Sequence, residues 1–275
     1  MTTALHAHRD LPLLAPEAGL AEAITWSVAH AVLAPSELNT QPWRFRALVD
    51  RNATARIDVL LDRSRLAAAA DPSARLAVLA CGAALLDLRL ALRGAALGGT
   101  VRLCPDPATP DLLAEVHVRG PATERPEDRL LREAIGVRGA RGGPAEPGEI
   151  PDVVLDHLLA EAAYEGALVV VLNAEQARAC GARGLLCVGS PGDDRPSLLR
   201  AGAGLQRLLL AATTYGITCR FVNDGLRHPD QRAEVARLVE LDHPQVLLQL
   251  GFGQPALDTD RRAVSDVLSF LEDLR

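Results

Sequence analysis

Apolar residues recur at helical spacing along three stretches of the chain. Residues 20–32 carry an apolar face that Pro35 ends, because a proline disfavours helical geometry at the residue before it. Residues 76–97 and 197–215 are apolar on most of their faces, which is typical of long helices buried in a core. Shorter helices are predicted over residues 128–135, 151–163, 229–240 and 264–274.

Shorter runs with alternating or continuous apolar residues predict strands. They lie at residues 45–49, 55–61, 100–103, 113–118, 167–172, 184–189, 217–222 and 245–251, the last of them apolar enough to be central in its sheet. Asp71 or Ser73 can cap the first long helix, and Gly98-Gly99 is predicted to end it. The first half therefore runs helix, hairpin, helix and two strands, which indicates an α+β fold with antiparallel sheets flanked by helices.

The order of elements in the first half returns in weaker form after a Gly- and Pro-containing break at residues 120–126. A helix over residues 151–163 leads through Tyr164-Glu165-Gly166 into a strand, as the first helix leads through the Pro35 loop into its strand. This degenerate repeat predicts two related halves, residues 1–120 and 121–275, within one compact unit. The second copy lacks the Ser, Asn and Gln of the first loop, so only the first loop is expected to serve a ligand in this way.

Residues 34–45 concentrate hydrogen-bonding groups on one loop. Ser36, Asn39 and Gln41 lie between Pro35 and Pro42, and one of the two tryptophans follows at once. Such a loop can present donors and acceptors to a flat polar ligand. The alternative is a turn at a helix end whose side chains satisfy their own backbone.

The segment over residues 137–148 is rich in Gly and Pro and contains Arg138 and Arg141. Its backbone freedom and its guanidinium groups are suited to a phosphate, because an arginine fork can donate two parallel hydrogen bonds. An exposed linker has the same composition, and the pattern alone does not separate the two interpretations.

Composition excludes several classes of protein. The chain is 48% hydrophobic and 23% charged, with a net charge of −6, which argues against a nucleic-acid surface. All 29 basic residues are Arg, so lysine chemistry is absent. Five unpaired-looking cysteines and no secretory signal indicate reduced thiols in the cytoplasm, and Asp87, Arg89 and Arg93 make the most apolar stretch a buried helix rather than a membrane span.

No sequence motif for metal or nucleophilic catalysis is present. The seven histidines show no metal-ligand spacing, and the chain has no GxGxxG, GxSxG or Walker pattern. A protein whose cofactor carries the chemistry is compatible with this composition.

Four blocks resemble one family. The string PSxxNxQPWxF at residues 35–45 resembles the flavin-side loop of the FMN-dependent nitroreductase superfamily. Residues 71–76 with 81–89, residues 199–213, and residues 244–253 with the pair Arg261-Arg262 are similar to its narrower Acg-like branch of actinobacteria. The blocks occur in the family's order over most of the chain. The resemblance implies a nitroreductase-like fold in which two degenerate halves are fused as an intrachain pseudo-dimer.

The resemblance also implies a set of flavin contacts and no metal site. Residues of the first loop would contact the isoalloxazine and ribityl side, namely Pro35, Ser36, Asn39 and Gln41. Arginines of the second half would hold the phosphate, namely Arg138 and Arg141 together with Arg261 or Arg262. The end of a second-half strand would face the pyrimidine end of the flavin through Phe221, Val222 and Asn223.

By the same resemblance we expect a cytoplasmic FMN-dependent oxidoreductase with one flavin site per chain, acting as a monomeric pseudo-dimer or as a homodimer. It would transfer hydride or electrons between NAD(P)H or a small-molecule metabolite and an acceptor. The alternatives are a non-catalytic flavin-binding or sequestering protein and a structural protein without flavin. The segment between residues 174 and 185 is shorter than in Acg-like proteins, which predicts an open pocket.

Overall fold

The computed structural model describes residues 11, 13–15, 17–50, 54–67, 71–139, 150–252 and 260–271. The helices are α1 (Leu20–Ala31), α2 (Arg75–Gly94), α3 (Pro126–Gly139), α4 (Asp152–Tyr164), α5 (Ala174–Ala179), α6 (Arg195–Thr214), α7 (Pro229–Val239) and α8 (Val264–Val267). The strands are β1 (Trp43–Val49), β2 (Ala55–Leu61), β3 (Leu97–Leu103), β4 (Leu112–Pro121), β5 (Leu168–Val171), β6 (Leu185–Gly189), β7 (Thr218–Phe221), β8 (Pro244–Gly251) and β9 (Leu268–Leu271). The predicted α+β class is confirmed.

Two sheets repeat one strand order. The first runs β3-β4-β2-β1-β9 and the second, from its opposite edge, β7-β8-β6-β5. Strands β1, β2, β3 and β4 therefore occupy the places of β5, β6, β7 and β8. All pairs are antiparallel except β1 with β9, which are parallel and align Phe45 with Leu268. The predicted central place of β8 is confirmed.

The two long helices cross through glycines. A Cβ atom on Gly82 of α2 would lie 2.2 Å from the carbonyl oxygen of Leu199, and one on Gly202 of α6 would lie 2.0 Å from that of Leu79. Both contacts are with backbone atoms, so only glycine allows the helices to approach this closely. The crossing lies inside one apolar core to which residues of both sheets and both long helices contribute.

The start of α2 follows the prediction. The Asp71 carboxylate accepts a hydrogen bond of 2.9 Å from the backbone N–H of Ala77 in the first turn, whereas Ala74 precedes the helix in left-handed geometry. Asp71 therefore satisfies one of the helix's free donors. No helix among the described residues is long and apolar enough to cross a membrane.

Three predicted elements are wrong in extent or type. The first long helix ends at Gly94, and Gly98-Gly99 belongs to β3. A Cβ atom on Gly99 would lie 2.2 Å from the His117 carbonyl oxygen, so glycine is required by a close strand contact rather than by a helix stop. The closing helix is only the four residues of α8, because residues 268–271 pair with β1 instead. The short helix predicted at residues 128–135 extends to Gly139.

This longer α3 corrects the prediction of a phosphate-cradling loop at residue 138. Arg138 lies in the last turn of the helix, and its guanidinium donates to the carbonyl oxygen of Leu33. Arg141 lies outside the described residues, as do Arg51 and Asn52 of the predicted hairpin turn. The division into residues 1–120 and 121–275 stays a prediction, although β9 returns to the first sheet.

Candidate functional site

The loop between α1 and β1 has an unusual backbone. A 3-10 turn at Glu37–Asn39 follows Pro35, and positive φ angles occur at Leu38, Asn39 and Gln41. Asn tolerates this region, but for Leu and Gln it costs on the order of 1–3 kcal/mol and persists only where surrounding contacts enforce it. The Ser36 hydroxyl supplies one such contact, since it accepts a hydrogen bond of 2.9 Å from the Gln41 N–H.

The C-terminal segment supplies the other contacts. Asn39 Nδ2 donates to the Asp260 carbonyl at 2.9 Å, and Arg261 donates to Asn39 Oδ1 at 2.7 Å. The backbone N–H of Arg262 donates to Gln41 Oε1 at 2.7 Å. Two loop side chains are thus held by residues about 220 positions away, so the loop is more than a turn that satisfies its own backbone.

We call these hydrogen bonds of Asn39 and Gln41 with residues 260–262 the lock, and Arg262 extends the lock into the first sheet. Its guanidinium donates to the carbonyl oxygens of Gln41 and Trp43, both at 3.1 Å, and lies 3.2 Å from an Asp62 carboxylate oxygen. Hydrogen bonds from Ser64 and Arg44, together with the Arg262 charge, hold the pKa of Asp62 below its usual range against the effect of burial. Arg262 therefore acts in the described structure as a structural cation that fixes the loop.

An apolar cavity of about 220 Å³ opens beside the loop. Its lining comes from the loop, α2, α6, β8 and the chain at the end of β7, and comprises Pro35, Ser36, Glu37, Leu38, Leu76, Leu79, Ala80, Ala83, Leu205, Phe221, Asn223 and Val246. The structure therefore brings together four residues predicted from sequence: Pro35, Ser36, Phe221 and Asn223. Asn39, Gln41, Arg261 and Arg262 form the adjacent lock instead.

The remaining predicted residues lie close by. The side-chain oxygen of Asn223 accepts from the Leu247 N–H at 3.0 Å, and the Val222 N–H donates to the Leu247 carbonyl at 2.9 Å, so β8 fixes this end of β7. Arg138 approaches the loop from the other side through Leu33, two residues before Pro35. Its Nε is buried and has no hydrogen-bond partner among the described residues.

A buried carboxyl lies behind this cation. Asp87 is fully buried on α2, and Gln206 Nε2 donates to its two oxygens at 2.9 and 2.8 Å. Burial raises the pKa of Asp87 to about 7, although the charge of Arg138, the Gln206 hydrogen bond and the charge of Arg261 all oppose this rise. The group thus changes charge near neutral pH beside the cation.

We expect an Asp87→Asn variant to be less sensitive to pH than the parent. Because the folded-state pKa lies above the ordinary value of 3.8, the folded chain holds this proton more tightly and its contribution to stability falls as pH rises from about 4 to about 7. The variant should therefore gain stability relative to the parent over this range, measured by urea unfolding at successive pH values.

Asp106→Asn provides a control of opposite sign. Hydrogen bonds from Thr109 and Ala108 lower the pKa of this exposed carboxyl, so its contribution to stability is lost as pH falls. A parent and an Asp87→Asn variant with parallel pH profiles would contradict the assignment to Asp87.

Several lining residues were missed by sequence reasoning. Leu76, Leu79, Ala80 and Ala83 form one face of α2 at spacing i, i+3, i+4 and i+7, a pattern that only predicted burial. Glu37 was also missed, and it pairs with Arg227 at 3.0 Å across the two halves of the chain. Among the described residues, no group of three or more His, Cys, Asp and Glu side chains could hold a metal ion.

Comparisons with known proteins agree with the sequence resemblance. No protein-family model matches the chain. A Mycobacterium tuberculosis protein (strain H37Rv) is provisionally named an NAD(P)H nitroreductase. It is 26% identical to this chain in an alignment 331 positions long, which covers 92% of this chain and 93% of the relative. A second relative, provisionally named NAD(P)H nitroreductase acg, is 25% identical in an alignment 319 positions long, which covers 90% of this chain and 95% of the relative.

Likeness to solved structures is weaker. A nitroreductase with bound FMN from Bacteroides fragilis NCTC 9343 aligns with 52% of this chain and 98% of its own at 16% identity and a TM-score of 0.41, too low to carry an argument. The two sequence alignments, in contrast, run along nearly all of both partners, and the described loop and helices carry the quoted blocks in order. The chain is therefore similar, along nearly its whole length, to proteins that are provisionally named NAD(P)H nitroreductases.

Proposed function

We propose that this chain is an FMN-dependent oxidoreductase of the nitroreductase type, with one flavin site beside the α1–β1 loop. The observation that carries the proposal is the apolar cavity where Pro35 and Ser36 of the first half meet Phe221 and Asn223 of the second. The provisional names of the two mycobacterial relatives support an NAD(P)H-linked reaction on a small molecule. Free cysteines at all five positions are compatible with a cytoplasmic setting.

We further propose that the two halves are a fused pseudo-dimer. Helices α2 and α6 each have 20 residues and start exactly 120 positions apart, at Arg75 and Arg195. The glycine contacts repeat at the same offset, since Gly82 meets Leu199 and Gly202 meets Leu79. Because the two sheets also share one strand order, an approximate two-fold axis through the helix crossing supports the division near residue 120.

The residues at the cavity fit an FMN. The cavity volume of 220 Å³ is below the roughly 300–1,000 Å³ typical of whole ligand sites, so the cavity can hold only part of a flavin. Its apolar side chains suit one part of the flavin ring. Arg138 carries a buried Nε without a partner among the described residues, next to the same loop. A phosphate oxygen is the acceptor that best satisfies such a cation. Arg261 lies at the same carbonyl, with its Nη2 3.4 Å from Leu33 oxygen.

When bound, FMN supplies hydride or electron transfer between a reduced donor such as NAD(P)H and an acceptor. The protein contributes binding and orientation. Leu76, Leu79 and Leu205 exclude water from the cavity, and the loop locked by Arg262 presents Pro35 and Ser36 at its rim. Arg138 supplies positive charge for the phosphate. The specificity for an acceptor then depends on the shape of the remaining opening.

The proposal predicts a specific effect of filling the cavity. Ala83→Leu places three further carbon atoms at its wall and should reduce the FMN content of the purified protein severalfold or more. The matched control is Ala203→Leu, because Ala203 is 120 positions later on α6, is similarly buried and lies outside this cavity. Absorbance of released flavin measures the content, and thermal unfolding verifies that both variants fold. Equal flavin content in the two variants would place the flavin elsewhere.

A non-catalytic flavin-binding protein is the second candidate. One observation favours it: Glu37 is the only ionisable side chain among the described lining residues, and Arg227 already neutralises it. Anaerobic addition of NADPH and NADH separates the two candidates. Bleaching of the flavin absorption band that reverses with an added quinone or nitroarene supports the oxidoreductase, whereas a persistent band with either nucleotide supports binding alone.

A further inference from the structure

A second and larger cavity lies on the other side of the helix crossing. Its volume is about 550 Å³, within the range of whole ligand sites, and its walls come from α2, α6, β3, β4 and the chain at the end of α4. Leu85, Val101, Val116 and Leu199 contribute to an apolar floor. None of the residues that line the proposed flavin cavity contributes to it.

The two cavities correspond through the 120-residue offset. The flavin cavity uses Leu76, Leu79, Ala80 and Ala83 of α2, and the second uses Pro196, Leu199, Arg200 and Ala203 of α6. Leu205 reaches the first from α6, and its counterpart Leu85 reaches the second from α2. Val101 and Leu103 of the second cavity likewise correspond to Phe221 and Asn223 of the first. The second cavity is therefore the structural counterpart of the first.

Its charge differs from that of the first. Arg200 replaces the small Ala80 of the first cavity, and Arg89 and Arg93 are further cations in the lining. Glu165 is the one acid among the described residues of this lining. Its carboxylate lies 2.6 Å from Arg89 and 3.6 Å from Arg207, which also pairs with Glu161 and Asp128. Arg89 therefore compensates this acid, and Arg93 and Arg200 leave the described rim positively charged.

Two of the rim arginines remain available. Arg93 and Arg200 are exposed, and neither forms a direct hydrogen bond or ion pair with another described residue, although the charge of Arg93 acts on Asp128 and that of Arg200 on Asp194. The Arg200 stem is fixed against the α4–β5 turn, where a Cβ atom on Gly166 would lie 3.4 Å from Arg200 Cδ. An apolar interior below two free guanidinium groups favours a molecule with an apolar body and a terminal anion.

We propose that this cavity, which we term the arginine-rimmed cavity, binds a small organic anion: an aromatic or branched aliphatic carboxylate. Its apolar body lies against Leu85, Val101 and Leu199, and its carboxylate accepts hydrogen bonds from Arg93 and Arg200. The inference does not depend on flavin binding, because no residue of the flavin cavity takes part. It gives the second cavity of the pseudo-dimer a ligand class of its own.

The test is a calorimetric titration of FMN-saturated full-length protein with 2-naphthoate, alongside the neutral 2-naphthamide. We expect the carboxylate to bind at least about tenfold more tightly than the amide, the factor for roughly one charge-assisted hydrogen bond. The double variant Arg93→Ala and Arg200→Ala should lose a similar factor. Arg102→Ala should leave binding unchanged, because this exposed arginine of β3 pairs with Glu115 outside the cavity.

Cavity-filling variants locate the ligand. Ala203→Leu should weaken 2-naphthoate binding while Ala83→Leu leaves it intact, the reverse of their effects on flavin. Equal affinity for acid and amide, an unchanged affinity in the double arginine variant, competition by FMN, or no binding of 2-naphthoate would each overturn the proposal. Failure here with normal flavin content would leave the proposed oxidoreductase unaffected.

Discussion

Replacing Gly202 with Ala is expected to lower the free energy of unfolding by about 3 kcal/mol or more, at the upper end of overpacking effects. The new Cβ would lie 2.0 Å from the carbonyl oxygen of Leu79, so α2 and α6 would have to move apart across the whole core. Gly82→Ala should cost a similar amount, because its Cβ would lie 2.2 Å from the Leu199 carbonyl. Urea unfolding followed by circular dichroism measures both values.

Gly94→Ala is the matched control on α2. A Cβ there would meet Arg132 Nε at 2.4 Å, a side-chain rather than a backbone contact, which can relax at the expense of the Arg132 ion pair with Glu124. Alanine is also the better helix former, by roughly 0.5–1 kcal/mol. The control should therefore cost clearly less stability than either crossing variant. If the crossing variants were as stable as this control, the close symmetric packing of the two halves would be wrong.

Arg138→Gln is expected to reduce FMN affinity by about 10- to 100-fold, which corresponds to the loss of a charge-assisted hydrogen bond of roughly 1.5–3 kcal/mol. Glutamine keeps a donor near the position of Arg138 Nε but removes the charge and the longer reach to the Leu33 carbonyl. Fluorescence quenching of free FMN during titration measures the affinity. Because Asp87 lies beside this cation, the titration should be performed at pH 6 and pH 8.

Arg129→Gln on the same helix is the control for this prediction. Its side chain is 64% exposed and pairs with Glu124 at 3.3 Å, away from the loop. It should bind FMN as the parent does. If Arg138→Gln and Arg129→Gln both bind FMN with the parent's affinity, Arg138 is not part of the phosphate site.

Local patterns predicted most of the secondary structure. The apolar spacing of residues 20–32 and 197–215, and the alternation of residues 55–61, correspond to α1, α6 and β2 because the same periodicity decides which side chains are buried. The prediction of a closing helix was wrong for a reason that is not visible in any local sequence pattern. Residues 268–271 gain a ladder with β1, more than 200 positions away, and tertiary pairing overrides local propensity.

The candidate site was predicted only in part. Pro35, Ser36, Phe221 and Asn223 line one cavity, and their contacts with a flavin stay a prediction. The hydrogen bonds of Asn39 with Asp260 and Arg261, and of Gln41 with Arg262, were not predictable, because contacts across about 220 positions leave no signal in residue spacing. The arginine-rimmed cavity was missed for a related reason: Arg89 and Arg200 are far apart in sequence and meet only at the helix crossing.

The stoichiometry of flavin per chain tests the central claim most directly. Arg138 meets the chain just before the α1–β1 loop on one side of the crossing, whereas the cavity on the other side is lined by Tyr164 and Glu165. Native mass spectrometry of protein saturated with FMN should therefore show one FMN per chain. Two FMN per chain would contradict the division of the two cavities between different ligands, and one FMN per two chains would place the site between protomers.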